Sequence, residues 1–216
     1  MCLKIDMHVH TRYSHDALIT SKELSIYAKN QGLDGVAITD HNEVRGLREF
    51  SKIKSLLVIP GIEISTKQGH VLGINISTII QPDLSFAETI DEIHDAGGLA
   101  IIAHSTAFFK GIQEDQLDEN FDAIEVINAS TIPFSLSVQK NLKVAARLNL
   151  PQTGGSDAHY APEIGMAYTT IDAEIDVDEV VKAIKNGAST AFGKPIPWSV
   201  RLKRKLLTLR KKKGRL

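Results

Sequence analysis

Short apolar, β-branched runs alternate with amphipathic stretches along most of the chain. The runs fall at residues 4–8, 35–39, 56–60, 62–65, 71–76, 99–103, 123–127 and 152–154, with a further candidate at 188–192, and turn residues stand beside them. Helix signals lie between many of them. Thr20 followed by Glu23 is a capping-box pattern opening a helix that ends near residues 30–32. Ser85 and Glu88 repeat the pattern ahead of apolar Phe86, Ile90 and Ile93, and Gly97-Gly98 closes that helix. Residues 136–148 and 177–186 are two more helical stretches. Strand–helix alternation on this scale predicts an α/β domain with a largely parallel sheet. Seven or eight strands in such a length predict a compact barrel rather than an open sheet.

Composition fits one globular domain: 216 residues, 43% hydrophobic and 24% charged. The single cysteine, Cys2, excludes an internal disulfide and a cysteine-based metal cluster, and fits a reducing, cytoplasmic location. The N-terminal segment lacks the basic-then-apolar pattern of a secretory signal, and no apolar run approaches the roughly 18 residues of a membrane span. Charge is uneven. Residues 201–216 hold nine basic and no acidic residues, which leaves 16 basic against 26 acidic in residues 1–200. A barrel over residues 1–197 followed by a basic segment at 198–216 is the expected organisation. Read as a helix, that segment puts Leu202, Leu206 and Leu209 in one apolar stripe. Nucleic acid, an anionic membrane surface, or the acidic body itself are its candidate partners.

The histidines carry the chemistry. His8 and His10 end the first run; His41, His104 and His159 follow later ones. His15 lies in the first loop and His70 at the start of its run. Asp6, Asp16, Asp40, Glu63 and Asp157 accompany them. In a parallel barrel the carboxyl ends of all strands meet on one face, so residues far apart in sequence gather in one cup. Convergent imidazoles and carboxylates suit a hydrolytic metal site. His8 and His10, two apart on a strand, share a face. Asp6 is expected one step deeper, accepting from an imidazole, and Asp40 is expected to orient His41. His94, in the middle of a helix, is read as an ordinary packing or surface residue.

These motifs resemble the PHP (polymerase and histidinol phosphatase) superfamily of metal-dependent phosphoesterases, in its small stand-alone form. The matching segments are Asp6-Met7-His8-Val9-His10-Thr11, Thr39-Asp40-His41-Asn42, Pro60-Gly61-Ile62-Glu63, Gly69-His70-Val71-Leu72-Gly73, Ala103-His104, Ile124-Glu125-Val126 and Gly155-Ser156-Asp157-Ala158-His159, over about residues 3–195. The resemblance implies a distorted (β/α)7 TIM-like barrel holding up to three divalent ions. It assigns His8, His10, Glu63 and Asp157 to the first, a bridging Glu63 with His70 and His104 to the second, and Asp16, His41 and His159 to the third. Both His15 and Asp16 stand at the loop position, and the family's aspartate-then-small-residue pattern selects Asp16. Ala17 stands where glycine is usual, and Ser105 where proline commonly follows the histidine.

The implied activity is hydrolysis of phosphate esters by a metal-activated hydroxide. Glu63, Asp157 and Asp40 are the candidate catalytic carboxylates, Asp40 as a candidate acid. Mn, Fe or Zn suits the mixed shell better than Mg. Arg12 and Lys194 are candidate phosphate contacts, and Glu125 a candidate partner of a ligand or a core-edge acid. The substrate classes are a nucleotide, a nucleic-acid end or a small phosphorylated metabolite such as histidinol phosphate. The competing readings are a non-catalytic RNA-binding barrel and an amidohydrolase-like C–N hydrolase.

Overall fold

The computed structural model describes residues 1–105 and 120–212, so Lys213 and Arg215 of the basic segment lie outside the described residues. Nine strands form one sheet: β1 (Cys2–Val9), β2 (Gly35–Ile38), β3 (Leu57–Ser65), β4 (His70–Ile74), β5 (Leu99–Ile102), β6 (Ala123–Asn128), β7 (Gln152–Gly155), β8 (Ala167–Asp172) and β9 (Ser189–Gly193). Their order is β7-β6-β5-β4-β3-β2-β1-β8-β9. The helices are α1 (Ser21–Asn30), α2 (Leu47–Phe50), α3 (Phe86–Asp95), α4 (Phe134–Leu148), α5 (Val177–Lys185) and α6 (Trp198–Lys212). Both capping boxes form as read, at Thr20 and Ser85.

The sheet curls until its ends meet. Val9 and Ala158 form a parallel bridge, Asp157 N–H donates to His8 O at 2.8 Å, and Gly154 exchanges hydrogen bonds with the Thr169 hydroxyl. The result is a nearly closed, distorted barrel, as expected. It is less parallel than expected. β4 pairs antiparallel with β3 and β5, and β8 antiparallel with β1 and β9. Seven strands therefore run one way, with β4 and β8 reversed between them.

Two strand readings change. The runs at 56–60 and 62–65 are one strand, although Pro60-Gly61 reads as a break. β3 passes from partner β2, up to Pro60, to partner β4, from Gly61 onward. A Cβ at Gly61 would lie 2.9 Å from Gly73 O, so the crossover requires glycine. β8 went unread because Ile171 is the one large aliphatic residue among its inward positions Ala167, Thr169 and Ile171.

One apolar cluster gathers Leu3, Ile5, Met7, Ala37, Ile59, Leu72, Ile101 and Ala123 from six strands with Val180 and Ile184 of α5. Others join β3–β6 to α3 and α4, and β1–β2 to α1. Fully burying an aliphatic side chain is worth roughly 1.5–3 kcal/mol, so these clusters hold the strand ends that carry the polar cup.

Candidate metal centre

The cup sits where the seven co-directional strands end. β1 supplies His8, and His10 follows directly after the strand, their Nε2 atoms 3.0 Å apart. β3 supplies Glu63. Because β4 is reversed, His70 at its start lies at the same rim, opposite Ser65. His41 follows β2, His104 follows β5, and Asp157 and His159 follow β7. His104 (φ 29°) and Asp157 (φ 53°) occupy the left-handed region, which costs on the order of 1–3 kcal/mol and persists where surroundings enforce it. Here the His104 amide is held by Glu125 Oε2 at 2.9 Å and the Asp157 amide by His8 O.

Glu63 is the hub. Its fully buried carboxylate faces five imidazoles. Oε1 meets His70 Nδ1 at 2.6 Å and His104 Nε2 at 2.9 Å; Oε2 meets His41 Nδ1 at 2.8 Å, His10 Nε2 at 3.2 Å and His8 Nε2 at 3.4 Å. Asp157 Oδ1 adds His10 Nε2 at 3.2 Å, His159 Nδ1 at 3.5 Å and His8 Nε2 at 3.6 Å. Asp16 Oδ2 lies 3.3 Å from His159 Nε2 and 3.7 Å from His41 Nε2, whereas the His15 side chain is 73% exposed. The geometry thus brings Asp16, rather than His15, into the cluster.

Burial pushes the Glu63 and Asp157 carboxyls up, but the imidazoles around them outweigh it and hold both well below the usual carboxylate range. Asp16 is lowered in the same way by His159 and His41. For His159 burial works downward, and the carboxylates of Asp16 and Asp157 overcome it to raise its pKa to about 9. In His10 burial wins, aided by the neighbouring His159, and its pKa is lowered.

The donor set fits divalent metal ions. Two ring nitrogens 3.0 Å apart repel as lone pairs unless a proton or cation lies between them. Glu63 Oε2 is buried within 2.8–3.4 Å of three imidazole nitrogens, none of them aligned to hydrogen-bond it, and Asp16 Oδ1 is buried with no hydrogen-bond partner among the described residues. Such orphaned oxygens cost free energy unless another group takes them up. Three compact ligand groups are present: His8–His10–Glu63, His41–Glu63–His70 and His10–His41–His159. They share His10, His41 and Glu63.

A second layer sets the ligands' orientation. Glu125 Oε1 lies 3.0 Å from His8 Nδ1, and its Oε2 takes the Asn128 amide at 2.9 Å. Gly155 packs against this pair: a Cβ there would meet the His8 side chain, with His8 N at 2.8 Å and Glu125 Oε1 at 2.9 Å. Ser14 links three site residues. Its Oγ donates to Asp40 Oδ1 at 2.9 Å, accepts from His41 N at 3.0 Å and lies 3.3 Å from His10 Nδ1.

Several sequence expectations differ from this geometry. Asp40 does not orient the His41 ring; its oxygens accept from Thr11 and Ser14, so it braces the β1 loop and stands behind the cluster. Asp6 accepts backbone N–H groups of His8, Ser156 and Gly165 rather than an imidazole, and burial raises its pKa to about 6 against those bonds. Arg12, half-exposed, pairs with Glu49 at 2.6 Å. Lys194 is exposed beyond β9 and enters none of the cluster's described contacts. Glu163, which the sequence reading missed, accepts from the His159 and Tyr160 amides and from Arg204. Its amide contacts are local, to residues three and four positions earlier, and only the pairing with Arg204, 41 positions on, needed the tertiary fold.

Helix α6 lies across the loops of this rim. Arg201 donates to the carbonyls of Ala129 and Ser130, Arg204 pairs with Glu163 at 3.1 Å, and Lys211 Nζ reaches the carbonyl of Ala17 at 2.7 Å and those of Arg12 and Ser14 at 3.3 Å.

A strand-end cup of imidazoles and carboxylates on a distorted barrel forms a candidate metal site. The PHP domain matches residues 6–158, and the PHP-associated family matches residues 137–189; the chain belongs to the PHP domain family. An uncharacterized protein of Methanocaldococcus jannaschii is 35% identical over 141 residues, covering 59% of this chain and 82% of that one. Among solved structures, a two-domain protein from Bacteroides vulgatus, described as containing a predicted PHP-like metal-dependent phosphoesterase, is 20% identical with a TM-score of 0.73. The match covers 90% of this chain and 65% of that one. A lesion-specific endonuclease from Pyrococcus furiosus is 18% identical with a TM-score of 0.66, covering 88% and 58%. This chain spans less than two thirds of either structure, and both likenesses are of fold. Among the described residues, no helix is long and apolar enough to cross a membrane.

Proposed function

We propose that the chain is a metal-dependent phosphoesterase that hydrolyses the phosphoric ester bond of a nucleotide, a nucleic-acid end or a small phosphorylated metabolite. The carrying observation is Glu63, a fully buried carboxylate ringed by five imidazoles. Three divalent ions, Mn, Fe or Zn, suit the donor set: His8, His10, Glu63 and Asp157 for one, Glu63, His70 and His104 for a second, and Asp16, His41 and His159 for a third. Such ions supply positive charge that makes water nucleophilic near neutral pH and stabilises charge on the attacked phosphate.

The chain's own groups prepare that site. Glu125, accepting from His8 Nδ1–H, leaves the Nε2 lone pair facing the cup. Glu63 and Asp157 carry the negative charge that the ligand set needs. Asp40 acts through Ser14 on the loop that carries Asp16, as a positioning residue. A purely RNA-binding barrel has no use for three carboxylates gathered among imidazoles, where their burial is costly without a cation. A nucleic-acid phosphodiester is the second substrate class, supported by the endonuclease described for one structural neighbour.

The test is phosphate release by Mn-loaded protein from nucleoside monophosphates, nucleoside 3′,5′-bisphosphates, histidinol phosphate and 5′-phosphorylated oligonucleotides. Strand shortening is followed in parallel. EDTA-sensitive turnover of one class supports the reading and names the substrate. Confirmed metal loading with no turnover of any ester overturns it.

A further inference from the structure

The outward face of α6 is apolar and exposed, and no other element is recorded against it among the described residues; within the helix the Arg201 guanidinium lies 5.7 Å from the Trp198 ring centroid. Trp198, Leu202, Leu206 and Leu209 are 72%, 61%, 54% and 48% exposed. At 100° per residue they form one stripe about 17 Å long. Exposed Lys203 and Arg210 run along one side of it and exposed Lys205 along the other. The inward face is already committed: Val200 packs with Ile196 and Ala129, while Arg201, Arg204 and Lys211 bind the rim loops. The helix is thus held by its opposite face, and its stripe points into solvent already ordered.

We propose that this face docks α6 in the interface of an anionic lipid bilayer. The stripe matches the acyl boundary, and the flanking cations match the phosphate headgroups on either side of it. Other occupants use only half of the surface. Nucleic acid neutralises cations with its phosphates but gives four large apolar side chains no role. A symmetric pairing of two copies across the stripe buries the apolar residues but sets the flanking cations of each copy against those of the other. Because α6 needs no folding on arrival, docking avoids the ordering cost a flexible tail would carry. The proposal is independent of the phosphoesterase reading.

Trp198 is the chain's single tryptophan, so its emission reports docking directly. The full chain is mixed with vesicles of phosphatidylcholine alone, or of equal parts phosphatidylcholine and phosphatidylglycerol, and cosedimentation is measured beside the emission maximum. The expected result is a blue shift and cosedimentation with the anionic vesicles, both weakened by salt. A Leu202→Asp/Leu206→Asp variant, checked for folding by circular dichroism and an unchanged thermal midpoint, is expected to lose at least about tenfold in vesicle affinity. An unshifted Trp198 with anionic vesicles overturns the proposal, as does full binding by the double variant or equal binding to neutral vesicles. A dimer by light scattering that the double variant dissolves, without vesicle binding, identifies the stripe as a self-interface. Oligonucleotide binding that ignores the leucine substitutions, again without vesicle binding, assigns the helix to nucleic acid.

Discussion

At one end of the barrel six imidazoles surround Glu63, Asp157 and Asp16. Toward the opposite end of β5, His94 Nε2 meets Asp122 Oδ2 at 2.8 Å, with Lys185 3.3 Å from the same carboxylate. Pair distances alone do not separate the two places, since 2.8 Å also joins His41 to Glu63. Burial and convergence do. Glu63 is fully buried and faces five rings, whereas the His94 side chain is 39% exposed, faces one carboxylate, and is screened by solvent. A histidine–carboxylate pair becomes a candidate metal site when water is excluded and several ligand atoms share one point.

Substitutions can break or sharpen that contrast. The largest effect is expected from Glu63→Gln, which removes the shared anionic ligand: turnover is abolished and bound metal, measured by inductively coupled plasma spectrometry, falls. His8→Ala and Asp157→Ala are expected to do the same. Gly155→Ala comes next. Its new Cβ drives into His8 and Glu125, costing about 1–3 kcal/mol in a denaturant titration and most of the activity. Glu125→Ala leaves His8 Nδ1 without its acceptor and is expected to lower metal affinity or turnover by about 10–100-fold. Arg204→Ala leaves the Glu163 carboxylate buried without its cation, at a cost of about 1–3 kcal/mol. Burial already raises the Glu163 pKa against Arg204's pull, so the stability lost on removing Arg204 should shrink as pH falls and Glu163 protonates. Denaturant midpoints measured across pH check this. His94→Ala, at the other end, is expected to change stability by about 0.5 kcal/mol or less and leave metal content and turnover untouched. Loss of bound metal there would erase the contrast between the two ends.

Much of the cup was legible because its signals are short-range. His8 and His10 stand two apart on a strand, and a strand's period of two puts them together wherever that strand lies. Asp157 and His159 are read the same way, and the strand-end position of His41 and His104 needs only the pattern of runs. Asp40 was misjudged for the complementary reason: adjacency to His41 says nothing about where its oxygens go, and Thr11 and Ser14 claim them. The Arg12–Glu49 pair is equally hidden, because its partners lie 37 positions apart.

The amino-acid sequence by itself determined the α/β alternation, the capped helices, the strand-end histidines and the amphipathic period of the last helix. These depend on neighbours within one turn or one strand. Tertiary structure decided the reversal of β4 that brings His70 to Glu63, and the return of β7 onto β1 that brings Asp157 to His8. It decided too that α6 turns its bound cations inward and its leucines out. His70 and Glu63 are only seven positions apart but meet through the β3–β4 reversal, whereas the other contacts join residues dozens or more positions apart, and those are set by how the sheet closes and what it must bury, which no local pattern records.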